Sequence, residues 1–371
     1  MKETYTKTEV SSYGNQVLKS FGQIGGGFIL IAVAFFVLLI NEWSCAEKIE
    51  QANLINKNAI DVSSEYVDRS NDSKLIATNG IATTNETLYD GYLPVENALV
   101  LSRDVEMYQW IETSKTASRK SINGTKTSKT TYKYKTDWDS KQHDSSRFAH
   151  EAGHHNPEFT IVSQRINAST GKLGDYNINE LQTSNIKKLR QYPAINNIQG
   201  LTLYNSQYYT SQNPNSPRVG DIRITYSYVP SGAPISVIGK QNSDNSISEF
   251  IKNKTTCYIQ YDGTYTLNGM LEKFKQDNKN TTNILRITGF IFMLVGFAVI
   301  TAPINTIASI VPILNGFVNL CSIAVVLLLS LAVTLTTIAI AWFAFRPVLS
   351  GTLLAVTMAI FIYIKGITKK N

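Results

Sequence analysis

The sequence predicts a membrane protein in which one N-terminal and three C-terminal transmembrane helices flank a β-dominated α+β domain on the non-cytosolic side. Three observations carry this prediction. Residues 24–40 read IGGGFILIAVAFFVLLI and hold no charge. Residues 287–345 form an uncharged run of 59 residues, too long for one crossing. Between them, several short segments alternate apolar and polar side chains with period two, the mark of strands with one buried face.

The elements follow in order. Residues 1–23 are a weakly basic tail. Residues 24–41 are the first transmembrane helix; at about 1.5 Å per residue its apolar run just spans the hydrocarbon core, and Asn41-Glu42-Trp43 ends it. Ser44-Cys45-Ala46 is similar to a signal-peptide cleavage site, but the long preceding tail and long apolar run favour a retained helix. Gly22 and Gly26 form a G-x-x-x-G pair suited to close helix packing.

Residues 42–283 are long enough for a core of their own. Asp221–Tyr228 alternates Ile222, Ile224, Tyr226 and Tyr228 against Arg223, Thr225 and Ser227, and Pro230-Ser231-Gly232 closes it as a turn. Pro234–Lys240 is a second strand, so a hairpin or meander is expected here. Thr131–Trp138 and Cys257–Tyr261 are further strands. Leu181–Leu189 and Leu271–Asn278 are short amphipathic helices. Residues 112–130, rich in Ser, Thr and Lys, read as an exposed hairpin loop.

Pro303 and Pro312 break the long apolar run. The expected pieces are a helix at 287–303, an irregular apolar linker at 304–316 and a helix at 317–343. Trp342, Arg346 and Pro347 form a membrane-interface motif. Proline lacks an N–H that the first turn of a helix does not need, so Pro347 opens the last helix, 347–364. Residues 365–371 are a second tail.

Four crossings place both tails on one face. Lys365, Lys369 and Lys370, with no acid nearby, assign that face to the cytosol. Residues 42–285 carry 27 basic and 26 acidic residues, so no concentrated basic domain points to nucleic acid. The apolar runs contain no acid, base or His, which argues against an ion or proton transporter.

One segment has the spacing of a catalytic site. His150-Glu151-Ala152-Gly153-His154 fits H-E-x-x-H, in which two histidines one helical turn apart bind zinc and the glutamate activates water. This keeps open an alternative, a membrane-anchored zinc hydrolase using His150, Glu151 and His154. Against it, Gly153 sits inside the required turn and Pro157 biases Asn156 away from helix. The expectation is therefore no catalytic residue, no resident metal and no cofactor. Cys45 and Cys257 share a compartment, but their spacing does not imply a bond. Sequons occur at Asn71, Asn85, Asn123, Asn167, Asn253 and Asn280.

A family resemblance joins these pieces. LSRDVEMYQW (Leu101–Trp110), YKYKTDW, Gly153-His154-His155-Asn156-Pro157, DIRITYSYVPSG, ISVIGKQ, Val311-Pro312-Ile313-Leu314 and Ala341-Trp342-Phe343-Ala344-Phe345-Arg346-Pro347 occur in the order and spacing of the transmembrane protein 43 (LUMA) family, which the chain resembles. The resemblance implies a non-enzymatic scaffold with a large lumenal domain in the endoplasmic reticulum and nuclear inner membrane, or in the inner membrane of a bacterium. It implies self-association as a homo-oligomer and contacts with other membrane proteins, among them nuclear-envelope proteins such as emerin and lamins in animals. The Gly-His-x-Asn-Pro part recurs in the family pattern without an H-E-x-x-H frame.

Overall fold

The computed structural model describes the whole chain apart from residues 1–2, 122–123, 194–196, 309–311, 344–346 and 369–371. It divides into two compact units. A β-rich body comprises Met1–Thr6, Asn53–Lys115 and Thr131–Lys273, and a helical unit comprises Lys7–Ala52, Thr116–Thr130 and Phe274–Asn371.

The principal strands are β1 (Glu3–Ser11), β2 (Leu75–Thr83), β3 (Ala98–Lys120), β4 (Lys126–Asp139), β5 (Gln164–Asn167), β6 (Thr170–Leu173), β7 (Tyr176–Asn179), β8 (Thr202–Tyr204), β9 (Gln207–Tyr209), β10 (Ile222–Pro230), β11 (Ala233–Gln241), β12 (Ile247–Ser248) and β13 (Ile259–Asp262). An eight-stranded sheet runs β1-β4-β3-β10-β9-β8, with β5 also on β3 and the two-residue strand Arg190–Gln191 also on β10. A seven-stranded sheet runs β7-β6-β2-β11-β12, with β13 also on β11 and the two-residue strand Ile60–Asp61 also on β2. Strand β3 shows why its sequence is a strand: Leu101, Arg103, Val105, Met107 and Gln109 alternate into the interior. There Leu101, Val105 and Met107 pack with Tyr208, Ile222, Ile224 and Tyr226. Ile76, Leu99, Leu173, Tyr176, Ile235 and Val237 form a second core.

Strands β10 and β11 were expected to pair, and they do not. Strand β10 lies antiparallel to β3, and β11 lies antiparallel to β2. The reason is burial. Every residue from Ile235 to Gly239 is buried, so β11 is a central strand with neighbours on both edges. Ser231 and Gly232 carry the chain between sheets, Gly232 at φ +99°, which a side chain disfavours. The expected helix at Leu181–Leu189 shrinks to Glu180–Ser184, started by a capping box of Asn179 and Gln182. The expected loop at 112–130 is strand as far as Lys120 and again from Lys126. Strand β1 lies within the segment that the sequence sets apart as a tail.

In the helical unit, α1 (Tyr13–Gly22) precedes α2 (Ile24–Asn58). Later come α4 (Leu267–Ala308), α5 (Pro312–Trp342) and α6 (Pro347–Thr368), the short helix of the body at Glu180–Ser184 being α3. Among the described residues, three stretches are long and apolar enough to cross a membrane: Tyr13–Asn58, Leu267–Ala308 and Val318–Trp342; Ser350–Tyr363 of α6 is a shorter apolar stretch. The helix expected to stop at Pro303 continues to Ala308, and Pro312 opens α5 rather than lying in a linker. Both prolines are compatible with helix, Pro312 because a first turn needs no N–H and Pro303 because a membrane helix can re-satisfy one freed carbonyl.

Close packing of α2 on α4 rests on glycines other than the predicted pair. A Cβ on Gly27 would lie 2.8 Å from the Gly296 carbonyl oxygen, and one on Gly289 would lie 2.6 Å from Leu38. Gly22 and Gly26 face open space. Around this contact Ala34, Leu38 and Met293 are fully buried.

Candidate functional site

The His150–His154 segment is built from the β3–β4 hairpin outward. It forms no helix: Ser145–Arg147 is a single 3-10 turn, and Gly153 takes φ +83°. The His154 N–H donates to the Glu151 carbonyl at 2.9 Å, closing a tight turn. His154 is fully buried, with Nδ1 2.9 Å from the His150 carbonyl. Its ring stacks on Tyr134 at 4.0 Å and meets the edge of Trp110 at 4.7 Å. Glu151 and His155 point to solvent. His150 packs edge-on against Tyr5 of β1, with centroids 3.9 Å apart. The two histidines of the H-E-x-x-H frame therefore do not share a helical face with Glu151 between them. Among the described residues, no cluster of three or more His, Cys, Asp or Glu could hold a metal ion.

The segment is held against the hairpin by backbone geometry and side-chain hydrogen bonds. Gly153 supplies the left-handed turn. The Asn156 side chain replaces a strand partner: its Oδ1 accepts from the Trp110 N–H at 2.7 Å, and its Nδ2 donates to the Trp110 and His143 carbonyls at 2.9 and 3.0 Å. Buried Gln109 works alike, donating to the Asp139 and Lys141 carbonyls and accepting from the His143 N–H. Glu112 accepts from the Tyr134 hydroxyl at 2.5 Å and from the Ala149 N–H at 2.7 Å. Burial, reinforced by this carboxylate, pushes the Tyr134 phenol up to about 12. Three polar side chains of β3 and the loop thus close residues 141–157 over the hairpin.

A second polar centre holds the body's sheet. Arg103 Nη1 donates to Asp90 Oδ2 at 2.7 Å, with both side chains almost fully buried. Asp90 also accepts from the Tyr226 hydroxyl and from the Tyr92 and Leu93 N–H groups. Arg103 donates further to the Val162 carbonyl and to Gln164. Every charge is matched, as a buried pair requires. Burial, then the Asp90 carboxylate, drives the Tyr226 phenol far above its ordinary range.

The helical unit has the third, and it was not foreseen. Glu42 is 1% exposed and ends the first apolar run. Its carboxylate accepts from Arg286 Nε and Nη2 at 2.7 and 2.6 Å, from the Trp342 indole at 2.5 Å and from Asn41 at 3.3 Å. One acid thereby joins α2, α4 and α5. Trp342, expected as an interface anchor, is 4% exposed and packs on Cys45 and Ala46. Arg346 lies outside the described residues. Pro347 is the first residue of α6, and Ser350 one turn later donates to the Ala339 carbonyl of α5 at 2.7 Å. The signal for the Glu42–Arg286 pair is present in the sequence: the two opposite charges border the two apolar runs.

Comparison with known proteins agrees with the membrane architecture. A family model described as Transmembrane protein 43 matches residues 107–347. Rat transmembrane protein 43 is 26% identical over 353 residues, which cover 88% of this chain and 85% of the relative. The human protein is 24% identical over 93% of this chain and 91% of its own length. A transmembrane protein 43 homolog of Drosophila melanogaster is 27% identical over 69% of this chain and 70% of its own. No solved structure matches.

Proposed function

The chain belongs to the transmembrane protein 43 family, and on that premise we propose that it is a non-catalytic multi-pass scaffold organising protein complexes in its membrane. The observation that carries this is the Glu42 centre. An acid at the edge of an apolar run is costly, and it persists where it is paired and has a structural task. Here it locks three helices into one bundle, which suits a platform better than a set of independent anchors. The other polar centres also serve architecture, and the zinc-hydrolase alternative lacks a helix on which His150 and His154 could act together.

In this reading α2, α4, α5 and α6 all cross, and the body lies on the non-cytosolic face. The C-terminal lysines support that sidedness. The membrane is the endoplasmic reticulum and the nuclear inner membrane continuous with it, or a bacterial inner membrane, on the family resemblance. The partners are further copies of the chain and other membrane proteins, nuclear-envelope proteins among them on the same resemblance.

Proximity labelling from a tag after Asn371 in the native cell tests the reading. The expected result is a reproducible set of membrane-protein neighbours, unchanged in a Glu151→Gln variant. A neighbour set no different from that of an unrelated membrane anchor contradicts it, as does a hydrolytic activity abolished by Glu151→Gln.

A further inference from the structure

Of the N-x-S/T sequons, those at Asn71, Asn85, Asn167, Asn253 and Asn280 lie within the described residues. A glycan needs the asparagine amide and the hydroxyl two residues later, and the finished fold must leave room for a bulky polar sugar. Four of these sites fail a condition. Asn71 is 9% exposed and its Oδ1 accepts from Lys74 Nζ, so a sugar there would have to be buried. Asn167 is half-buried in β5 and accepts from Arg165 Nε at 3.2 Å, while the Ser169 hydroxyl donates to Glu86 at 2.9 Å. Asn253 is exposed at a turn, but its Thr255 is buried. Asn280 and Thr282 stand on α4, where positions i and i+2 do not face each other, and Thr282 is buried.

Asn85 meets both conditions. It is exposed, and so is Thr87. The residues beside it are fixed to the body. The Thr84 N–H donates to Ser231 Oγ at 3.0 Å and the Thr84 hydroxyl to the Thr170 carbonyl at 2.9 Å. The Glu86 carboxylate accepts from the Ser169 and Thr170 N–H groups at 3.0 and 2.6 Å, and the Glu86 N–H closes the turn on Thr84 Oγ1 at 3.1 Å. Asn85 therefore stands at the tip of an anchored turn. It also borders an open cleft of 430 Å³ shared with Thr83, Thr170, Lys172 and Asn177. That space holds about fourteen water-sized groups, enough for one N-acetylglucosamine, and its lining offers hydroxyl, ammonium and amide partners.

We propose that Asn85 is an N-glycosylation site of the body. The proposal rests on the reading that places the body on the lumenal face of the endoplasmic reticulum. The sugar donor is an oligosaccharide linked to a polyprenyl pyrophosphate, which that compartment supplies together with the transferase. Asn85 Nδ2 bonds to C1 of the first N-acetylglucosamine, the bond from C1 to the pyrophosphate oxygen breaks, and the polyprenyl pyrophosphate leaves. The amide gives one proton to the transferase, and no oxidant or reductant takes part. The first sugar lies along the cleft beside Thr170 and Lys172, and the rest of the glycan extends into solvent.

Synthesis of the full chain with endoplasmic reticulum microsomes tests this. The wild-type chain should gain a mobility shift that peptide N-glycosidase removes. Asn85→Gln and Thr87→Ala should each lose that step. Thr87→Ser keeps the hydroxyl and should retain it, as should Asn71→Gln and Asn167→Gln. A control, Pro217→Thr, completes a sequon at exposed Asn215 and should add a step. A shift unchanged in Asn85→Gln overturns the proposal, and so does a step lost in Asn71→Gln or Asn167→Gln instead. Absence of any wild-type shift while the control is modified also overturns it and leaves the lumenal reading standing. If the control is unmodified as well, the body does not face the lumen, and that reading falls together with the proposal.

Discussion

Asn156→Ala strands the Trp110 N–H and two carbonyls that no strand covers. The expected loss is about 2–4 kcal/mol of body stability, read by denaturant titration. Asn156→Asp keeps the acceptor, loses both donations and falls between wild type and Ala. Tyr134 yields a pH prediction. Its phenol ionises later in the folded state, near 12 against an ordinary 10. The stability it contributes is fully present below pH 10 and declines as pH rises through 12. Tyr134→Phe should flatten that part of the stability-against-pH curve, and an unchanged slope there counts against the Glu112–Tyr134 contact. The segment is only partly legible in the sequence. Gly153 and Pro157 mark a turn by local chemistry, which is enough to discount a zinc helix. The partners of Asn156 lie 13 and 46 positions away, and no local pattern encodes them.

At the scale of elements, α2, α4 and α5 share one acid. Arg286→Leu leaves Glu42 buried with the indole and Asn41 as remaining donors. The cost should be about 2–4 kcal/mol, below that of a fully enclosed pair because the Arg286 side chain is 36% exposed. Trp342→Phe removes one neutral donor and should cost about 1–2 kcal/mol. Gly296→Leu sets a side chain against Ile31 and the Gly27 carbonyl and should part α2 from α4, whereas Gly26→Leu should be tolerated. Thermal unfolding of the detergent-purified protein orders these variants, and equal effects at Gly26 and Gly296 contradict the packing. The apolar helices are legible because lipid requires length and apolarity in sequence. Which glycine meets which helix depends on rotation about the axis, which a G-x-x-x-G spacing alone does not set. Strands β10 and β11 are legible from their alternation and a glycine turn, but their assignment to separate sheets is a tertiary fact recorded only in the burial of both faces of β11.

The whole molecule turns on how often the chain crosses the membrane. Four crossings separate the N-terminal segment from the body, whereas β1 is the edge strand of the body's own sheet. A cysteine at Thr6 distinguishes them: modification from the body's face follows the strand, and modification from the other face follows a full crossing by α2. The account of α4, α5 and α6 is independent of that result. The most direct test of the membrane scaffold uses a chain with Cys45, Cys257 and Cys321 replaced by Ala. One new cysteine is placed at Lys254, on an exposed turn of the body, or after Asn371. An impermeant maleimide is then applied to sealed vesicles. Three crossings after the body predict that Lys254→Cys and the C-terminal cysteine are modified from opposite faces. Modification of both from the same face means an even number of crossings and contradicts the arrangement of α4, α5 and α6 as three membrane helices.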